Sequence, residues 1–321
     1  MKIKKNNFYL LIFFFAYLSI IYSKNFIFCD LYFGKCIEEP YGGDLRKYLN
    51  GHYNDSFAHH YGFSLYLIFY WVHSWLKFQY FLIIFQLTFY SVIFFSGFQF
   101  LKNFSVWKFT IFTFVIIFYP IYEGYSLIAL KQGLGIIFMI LSIFLVKKIY
   151  SLKSLFLILA SIMSHYVFLL FYIVLYISKF LSIKLLTYFF IICVLGYIFK
   201  FNGILFYYVV EIFEPLHQSM YHETWLRINP EVKYSFVVFS FFPLLLYQNI
   251  KFRTYADKES LFKILYKFHL LYCAIIFLFF SEFYYINRFL VLSWIFYPFY
   301  LLNFLNITKL YFKIIKRNPQ N

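Results

Sequence analysis

The chain has 321 residues, of which 63% are hydrophobic and 13% are charged, and it contains 51 Phe and 34 Tyr. A water-exposed surface of this size does not carry that balance, so the composition excludes a soluble domain. The 29 Lys and Arg outnumber the 13 Asp and Glu, but they lie in short loops between apolar runs and therefore report membrane orientation, not a nucleic-acid partner. We predict an all-α, polytopic integral membrane bundle of about ten embedded segments, forming one transmembrane domain over residues 1–321.

The N-terminal quarter contains an anchor, a polar loop and a short aromatic helix. The apolar run from Phe8 to Tyr22 follows a basic start and lacks a small-x-small cleavage site, which favours an uncleaved signal anchor. Residues 24–60 are predicted to form an external loop, in which Cys29 and Cys36 are either bridged or free. The aromatic run from Tyr61 to Trp75 is too short to span and is rich in interfacial residues, so we expect it to lie near the outer leaflet.

The remaining apolar runs are predicted to be membrane helices. The spanning candidates are Tyr80–Leu101, Val106–Ile121, Ser126–Val146, Leu185–Phe199, Tyr234–Tyr247, Ile264–Ser281 and Phe289–Leu305. The segment between Lys153 and Lys179 fits either one kinked crossing or two half-length helices that turn near His165. The second alternative keeps the lysine-rich loops in the cytoplasm with both termini, in line with the positive-inside rule. It also makes residues 201–233 a second external loop.

The polar residues that do not suit a lipid-facing surface gather on the external side in this topology. The candidates for a site are Asp44, Arg46, Lys131, Gln132, His165, Arg227, Glu282 and Arg288, accompanied by His217, His222 and Glu223. An ionisable group at membrane depth costs a few kcal/mol or more, so it needs a partner, a watery cavity or a substrate. Structural interpretations stay open: Lys131 can snorkel, His165 can be a hydrogen-bonded bundle residue, Asp44 can be a turn residue, and Glu282 can pair with Arg288.

Neither a cofactor nor a metal is expected. The sequence has no P-loop, GxGxxG fingerprint, GxSxG elbow or CxxC pair. The residues His52, Asp55, His59 and His60 match no standard set of metal ligands. Cys193 and Cys273 lie in apolar runs and are interpreted as packing residues.

Five short motifs occur in an order that resembles one family of membrane enzymes. They are GGDLRKYLN with Asp44 and Tyr48, YGFSLYLIFYW, LKQGLGIIFMI, ASIMSHYVFLL and YYINRFLVL. Together they resemble the EpsG-like branch of the Wzy-type polysaccharide polymerases, whose motifs include an Arg-Gln-Gly-x-Ala helix and an Ala-x-x-x-His segment. Two departures are Lys131, where the family usually has Arg, and the Tyr-Val that follows His165 in place of Pro-Ser.

The resemblance implies a glycosyltransferase of the bacterial cytoplasmic membrane. Such an enzyme moves a growing O-antigen, capsule or exopolysaccharide chain from undecaprenyl diphosphate onto the next lipid-linked repeat unit at the outer face. Asp44 or His165 would be the base, while Arg46, Lys131, Gln132, Arg227, Glu282 and Arg288 would bind diphosphate and glycan. Besides the lipid-linked glycan and membrane lipid, a chain-length regulator is an open partner. The alternatives are a lipid-linked oligosaccharide transporter (flippase) and a membrane acyltransferase that modifies surface glycans.

Overall fold

The computed structural model describes residues 14–20, 48, 63–73, 75–100, 106–145, 151–201, 232–248, 260–279 and 283–302. For residues 79, 98–100, 106, 109, 127, 128, 145, 248, 260 and 283–288 it describes the backbone alone. Every regular element in these ranges is a helix, which confirms the all-α class for this part of the chain. The chain divides into two compact units, Met1–Phe168 and Leu169–Asn321. The single transmembrane domain stays a prediction.

The helices are numbered here in chain order. Besides the helical residues 14–20, the first unit contains α1 (Phe63–Val72), α2 (Phe78–Phe100), α3 (Val106–Phe118), α4 (Pro120–Glu123), a π-helix (Gly124–Ile128), α5 (Leu130–Ile140), a second π-helix (Leu141–Leu145) and α6 (Leu152–Ser164). After α7 (Val167–Ser178) come α8 (Ile183–Ile198), α9 (Tyr234–Ser240), α10 (Phe242–Gln248), α11 (Ser260–Phe279) and α12 (Phe283–Trp294). Residues 297–302 are helical as well.

Several predicted helices are confirmed to within a few residues. They are α1 for the aromatic run, α2, α8 and α11. Within the described ranges, α2 and α11 are long and apolar enough to cross a membrane alone, and a third span results if a bent pair in the first unit is counted as one. The other apolar helices have 10–17 residues. These helices fit a membrane-embedded protein, while the number of about ten embedded segments and the positions of the termini stay predictions.

The predicted span Ser126–Val146 is wrong, because it is broken at Ala129. The predictions Tyr234–Tyr247 and Phe289–Leu305 are confirmed as apolar helices, the first with a turn at Phe241 and the second as far as Leu302. The helix of the last prediction also begins earlier, at Phe283, because residues 283–288 contain neither Gly nor Pro and polar side chains alone do not end a helix. A turn at residues 295 and 296 then separates it from residues 297–302.

The break between α9 and α10 has a clear cause in Pro243. Proline has no N–H, so the Phe239 carbonyl loses the donor that a continuous helix would give it. Tyr297 Oη donates to that carbonyl oxygen at 2.8 Å, and His269 Nε2 lies 2.9 Å from the carbonyl oxygen of Ser240. Because a carbonyl only accepts, Nε2 carries the ring proton of His269. This completely buried histidine therefore stabilises the break in the second unit.

The two cysteines of the described ranges are confirmed as packing residues. Cys193 and Cys273 are free thiols and both are buried. Cys273 Sγ lies 3.2 Å from Ser293 Oγ, which itself donates to the carbonyl oxygen of Leu290. This thiol therefore joins α11 to α12 inside the second unit.

The end of α8 and the start of α9 are tied together. Lys200 follows α8 with a φ of 63°, in the left-handed conformation that often ends a helix. The N–H of Lys233 donates to Tyr197 Oη at 3.1 Å. The predicted external loop 201–233 therefore departs from and returns to the same end of the second unit, although most of it lies outside the described residues.

Replacing Tyr297 with Phe is expected to lower the free energy of unfolding by about 0.5–1.5 kcal/mol, because the Phe239 carbonyl would lose its side-chain donor at a part-buried site. Adding Pro243→Ala supplies a backbone N–H to that carbonyl, so the double variant should recover most of the loss. Thermal and denaturant unfolding of the four proteins in detergent would give the coupling between the two sites. Additive losses would contradict this account of the break.

Candidate functional site

The site is built around a helix break in the first unit. The π-helix ends at Ala129, whose φ of −104° and ψ of 61° leave the helical region, and α5 starts at the next residue. The segments Pro120–Ser126 and Leu130–Phe144 meet at 112°. Lys131 and Gln132 consequently occupy the first turn of a new helix, not the middle of the span that the sequence predicted. The break thus places a helix N-terminus, which carries partial positive charge, beside a lysine.

Gly133 makes this bend sterically feasible. A Cβ at this position would collide with the backbone carbonyl oxygen of Tyr125. Because the obstacle is backbone and not a movable side chain, only glycine permits this approach of the π-helix to α5. The break has no proline within it, so Gly133 was the one local signal in the sequence that could have revealed it.

A second break separates α6 from α7 at His165. The backbone of His165 is extended, with a φ of −162° and a ψ of 128°. Its side chain turns back toward the next helix, and the N–H of Val167 donates to Nδ1 at 3.2 Å. This contact satisfies one of the amide groups that a helix start leaves without a partner. The predicted interruption near His165 is confirmed, while a return of the chain to its starting side stays a prediction.

The two breaks meet through Gln132 and His165. The side-chain nitrogen of Gln132 lies 3.3 Å from His165 Nε2. Because Nδ1 accepts from Val167, the neutral ring carries its proton on Nε2, so Nε2 must donate. The Gln132 amide accepts from this N–H after rotating by 180° to present its oxygen, since the two ends of an amide have nearly the same shape. Both ring nitrogens of His165 thus have a partner.

Small residues allow α5 and α6 to pack closely around this contact. Ser161 Oγ donates to the carbonyl oxygen of Gly135 at 2.9 Å, and a Cβ at Gly135 would overlap the ring of Phe168. Ser64 of α1 donates to the carbonyl oxygen of Ala160 at 3.2 Å. Side-chain to backbone hydrogen bonds of this kind, next to small residues, are typical of helix contacts in apolar surroundings. They fix the distance between Gln132 and His165.

Sequence reasoning missed Glu123, the one carboxylate among the residues that the structure describes. It is half-buried at the end of α4, and its carbonyl oxygen accepts from Ser126 Oγ at 3.2 Å. The phenol of Tyr90 hydrogen-bonds to the Ser126 side chain and has Glu123 as a charged neighbour. The signal was available: an acidic residue between Pro120 and Gly124, shortly before Lys131, at the edge of two apolar runs.

The structure does not describe the side chains of the other predicted site residues. Asp44, Arg46, Arg227 and Glu282 lie outside the described residues, as do Cys29, Cys36 and the histidines other than His73, His165 and His269. For Arg288 the structure gives the backbone alone, on α12. Within the part of the chain that is described, no group of three His, Cys, Asp or Glu can hold a metal ion.

Substituting Gly133 with Ala is expected to lower the free energy of unfolding by at least about 1–3 kcal/mol, because the new methyl group meets backbone. Gly124→Ala is the matched control, since a Cβ there has no atom within 4 Å and the backbone is already helical. Unfolding in detergent would measure both. Equal stability of the two variants would contradict the close approach of Tyr125 and Gly133.

No protein-family model matches the chain, and no curated protein or solved structure matches it. The resemblance to the EpsG-like polymerases therefore depends on the short motifs alone.

Proposed function

We propose that this protein is a polysaccharide polymerase that transfers a growing glycan from undecaprenyl diphosphate to the next lipid-linked repeat unit. The observation that carries the proposal is the contact between Gln132 and His165. These residues belong to LKQGLG and ASIMSH, two of the five segments that carry the resemblance. Two motifs that lie apart in sequence but meet in space, at two helix breaks, are the arrangement expected of a site.

The chemistry of the donor fits the charges around this contact. Transfer requires the acceptor hydroxyl oxygen to bond to the anomeric carbon while the bond from that carbon to the phosphate oxygen breaks. The electron pair leaves with the lipid diphosphate, which therefore needs positive groups at its oxygens. Lys131 and the N-terminus of α5 supply positive charge side by side. Arg46, Arg227 and Arg288 stay proposed as further cations, and Glu282 as a glycan contact.

The proton of the acceptor hydroxyl needs an acceptor within the site. His165 is a weak candidate, because Nδ1 accepts from a backbone amide and Nε2 donates to Gln132. We therefore assign His165 a positioning role and the role of base to a carboxylate. Asp44 is the carboxylate that the resemblance implies, and Glu123 is the one that lies on the other side of the bend from Lys131.

A lipid-linked oligosaccharide transporter is the second candidate, and one observation favours it. The chain has a broken helix at Ala129 in addition to the one at His165, and broken helices line the substrate sites of many transporters. In those transporters the breaks occupy corresponding positions in two repeated halves. Here the breaks at Ala129 and His165 both lie in the first unit, Met1–Phe168, and the break after α9 in the second unit is closed by Tyr297 and His269, so the polymerase is preferred. A membrane acyltransferase would need a histidine with a free ring nitrogen.

In the proposed setting the protein lies in the bacterial cytoplasmic membrane, with its site at the outer face. Its partners are the undecaprenyl-diphosphate-linked glycan and the surrounding lipid. The reaction draws its energy from the diphosphate-linked donor, which agrees with the lack of an ATP-binding motif in the sequence.

Lys131→Ala is expected to reduce polymerisation on the order of 10²-fold, the usual effect of removing one group that stabilises developing negative charge. The assay is chain elongation by purified protein in liposomes with lipid-linked repeat units. Lys153→Ala, at an exposed lysine on α6, is the control and should retain activity. Equal polymer from both variants would rule out the role of Lys131, and accumulation of unflipped units in cells would favour the transporter.

Two substitutions at His165 separate a base from a positioning residue. Asn places an oxygen where Nδ1 lies and can still accept from the Val167 amide, but it cannot take up a proton. We expect His165→Asn to fold and to retain a measurable rate with an unchanged pH profile, whereas His165→Ala loses the backbone contact and unfolds more easily. A folded Asn variant without detectable turnover would return the role of base to His165.

A further inference from the structure

We propose that Tyr166 binds a sugar ring of the lipid-linked glycan by stacking on its face, an inference that rests on the proposed function. Tyr166 lies in the helix break itself, after the last residue of α6 and His165 and before the first residue of α7. Its side chain is 69% exposed. A large aromatic ring is thus accessible directly beside the contact between Gln132 and His165.

The Tyr166 ring packs on a histidine ring that is held in place. The two rings stack with their centroids 4.7 Å apart and their planes 24° apart, within the range that aromatic pairs prefer. The His165 ring bonds at one nitrogen to the Val167 amide and at the other to the Gln132 side chain. The Phe168 amide donates to the carbonyl oxygen of His165 at 3.1 Å, which closes the turn around Tyr166. Protein therefore supports one face of the Tyr166 ring before any ligand binds.

The helix break at Tyr166 borders water. Irregular backbone at membrane depth is tolerated only where it is buried in protein or lines a water-filled cavity, because lipid cannot bond to the freed backbone groups. The exposure of the Tyr166 side chain shows that protein does not enclose this turn. The turn therefore lies in an aqueous cavity or at the membrane surface, and in both places a soluble group of the substrate can reach the ring.

The class of ligand follows from the ring and its aqueous surroundings together. A pyranose presents C–H groups on its faces and hydroxyl groups around its rim. The C–H groups suit the negatively polarised face of a phenol ring, and stacking removes apolar surface from water while the hydroxyl groups stay hydrated. An acyl chain would suit the ring but not the water. Lys131, the residue proposed to bind the diphosphate, precedes Gln132, so a sugar linked to that diphosphate belongs to the same site.

Binding of the repeat-unit oligosaccharide, released from the lipid carrier of the host cells by mild acid, tests the proposal without requiring turnover. The purified full-length protein in detergent is titrated by calorimetry. We expect Tyr166→Ala to weaken binding about tenfold and Tyr166→Phe to retain it, because Phe keeps the aromatic face. Tyr166→Leu keeps bulk beside His165 without that face, so it should weaken binding as Ala does. Tyr188→Ala, at an exposed tyrosine of α8, is the matched control and should bind normally.

The outcomes separate this inference from the proposed function. No binding by the wild-type protein, or equal binding by Tyr166→Ala and Tyr166→Leu, would overturn the sugar contact. If binding depends on Tyr166 but the protein in liposomes does not elongate lipid-linked units, the polymerase is wrong and the sugar contact stands. If it does elongate them, Tyr166→Ala should raise KM for the repeat unit about tenfold at nearly constant kcat, the effect of losing a contact made equally in the ground and transition states. A fall in kcat at constant KM would contradict that role.

Discussion

A helix that breaks among apolar side chains frees backbone amides and carbonyls that lipid cannot solvate, and each of them needs a partner from the protein. The polar residues of this chain are distributed accordingly. At the break before α7 the ring of His165 accepts from the Val167 amide, and at the break after α9 Tyr297 and His269 bond to carbonyl oxygens. Polar side chains that look costly in an apolar sequence therefore stabilise the helix breaks by bonding to the freed backbone groups.

His269 and His165, the two histidines at helix breaks, satisfy this constraint in different surroundings. His269 is completely buried and donates to a backbone carbonyl. His165 is half-buried, and besides its backbone contact it meets a side chain from another break. One histidine stabilises a single break, whereas the other joins two helix starts in the first unit.

Periodicity and hydropathy predicted the helices of this chain well where the helices are continuous. The bounds of α2, α8 and α11 follow from runs of apolar residues between lysines and polar turns. The bend at Ala129 was not predictable in this way, because its local signal, Gly133, acquires that meaning only through the contact with Tyr125. Hydropathy is a property of a segment, while that contact is a property of two segments packed together.

The candidate site could be predicted only in part, because it too depends on contacts between packed segments. Lys131, Gln132 and His165 stood out as polar residues in apolar runs, but the meeting of Gln132 with His165 depends on tertiary packing through Gly135 and Ser161. The tautomer of His165 likewise depends on a backbone amide that no motif specifies. Glu123 was overlooked because a lone acidic residue between two predicted spans looks like an ordinary loop residue.

The hydrogen bond between the Lys233 amide and Tyr197 Oη holds the two ends of a long connection at one point. The entropy cost of closing a loop grows only slowly with its length once its ends are fixed. An epitope tag inserted between residues 202 and 231 would therefore leave the packing of α8 against its neighbours intact. That connection is the natural position for a reporter that tells which side of the membrane this end of the protein faces.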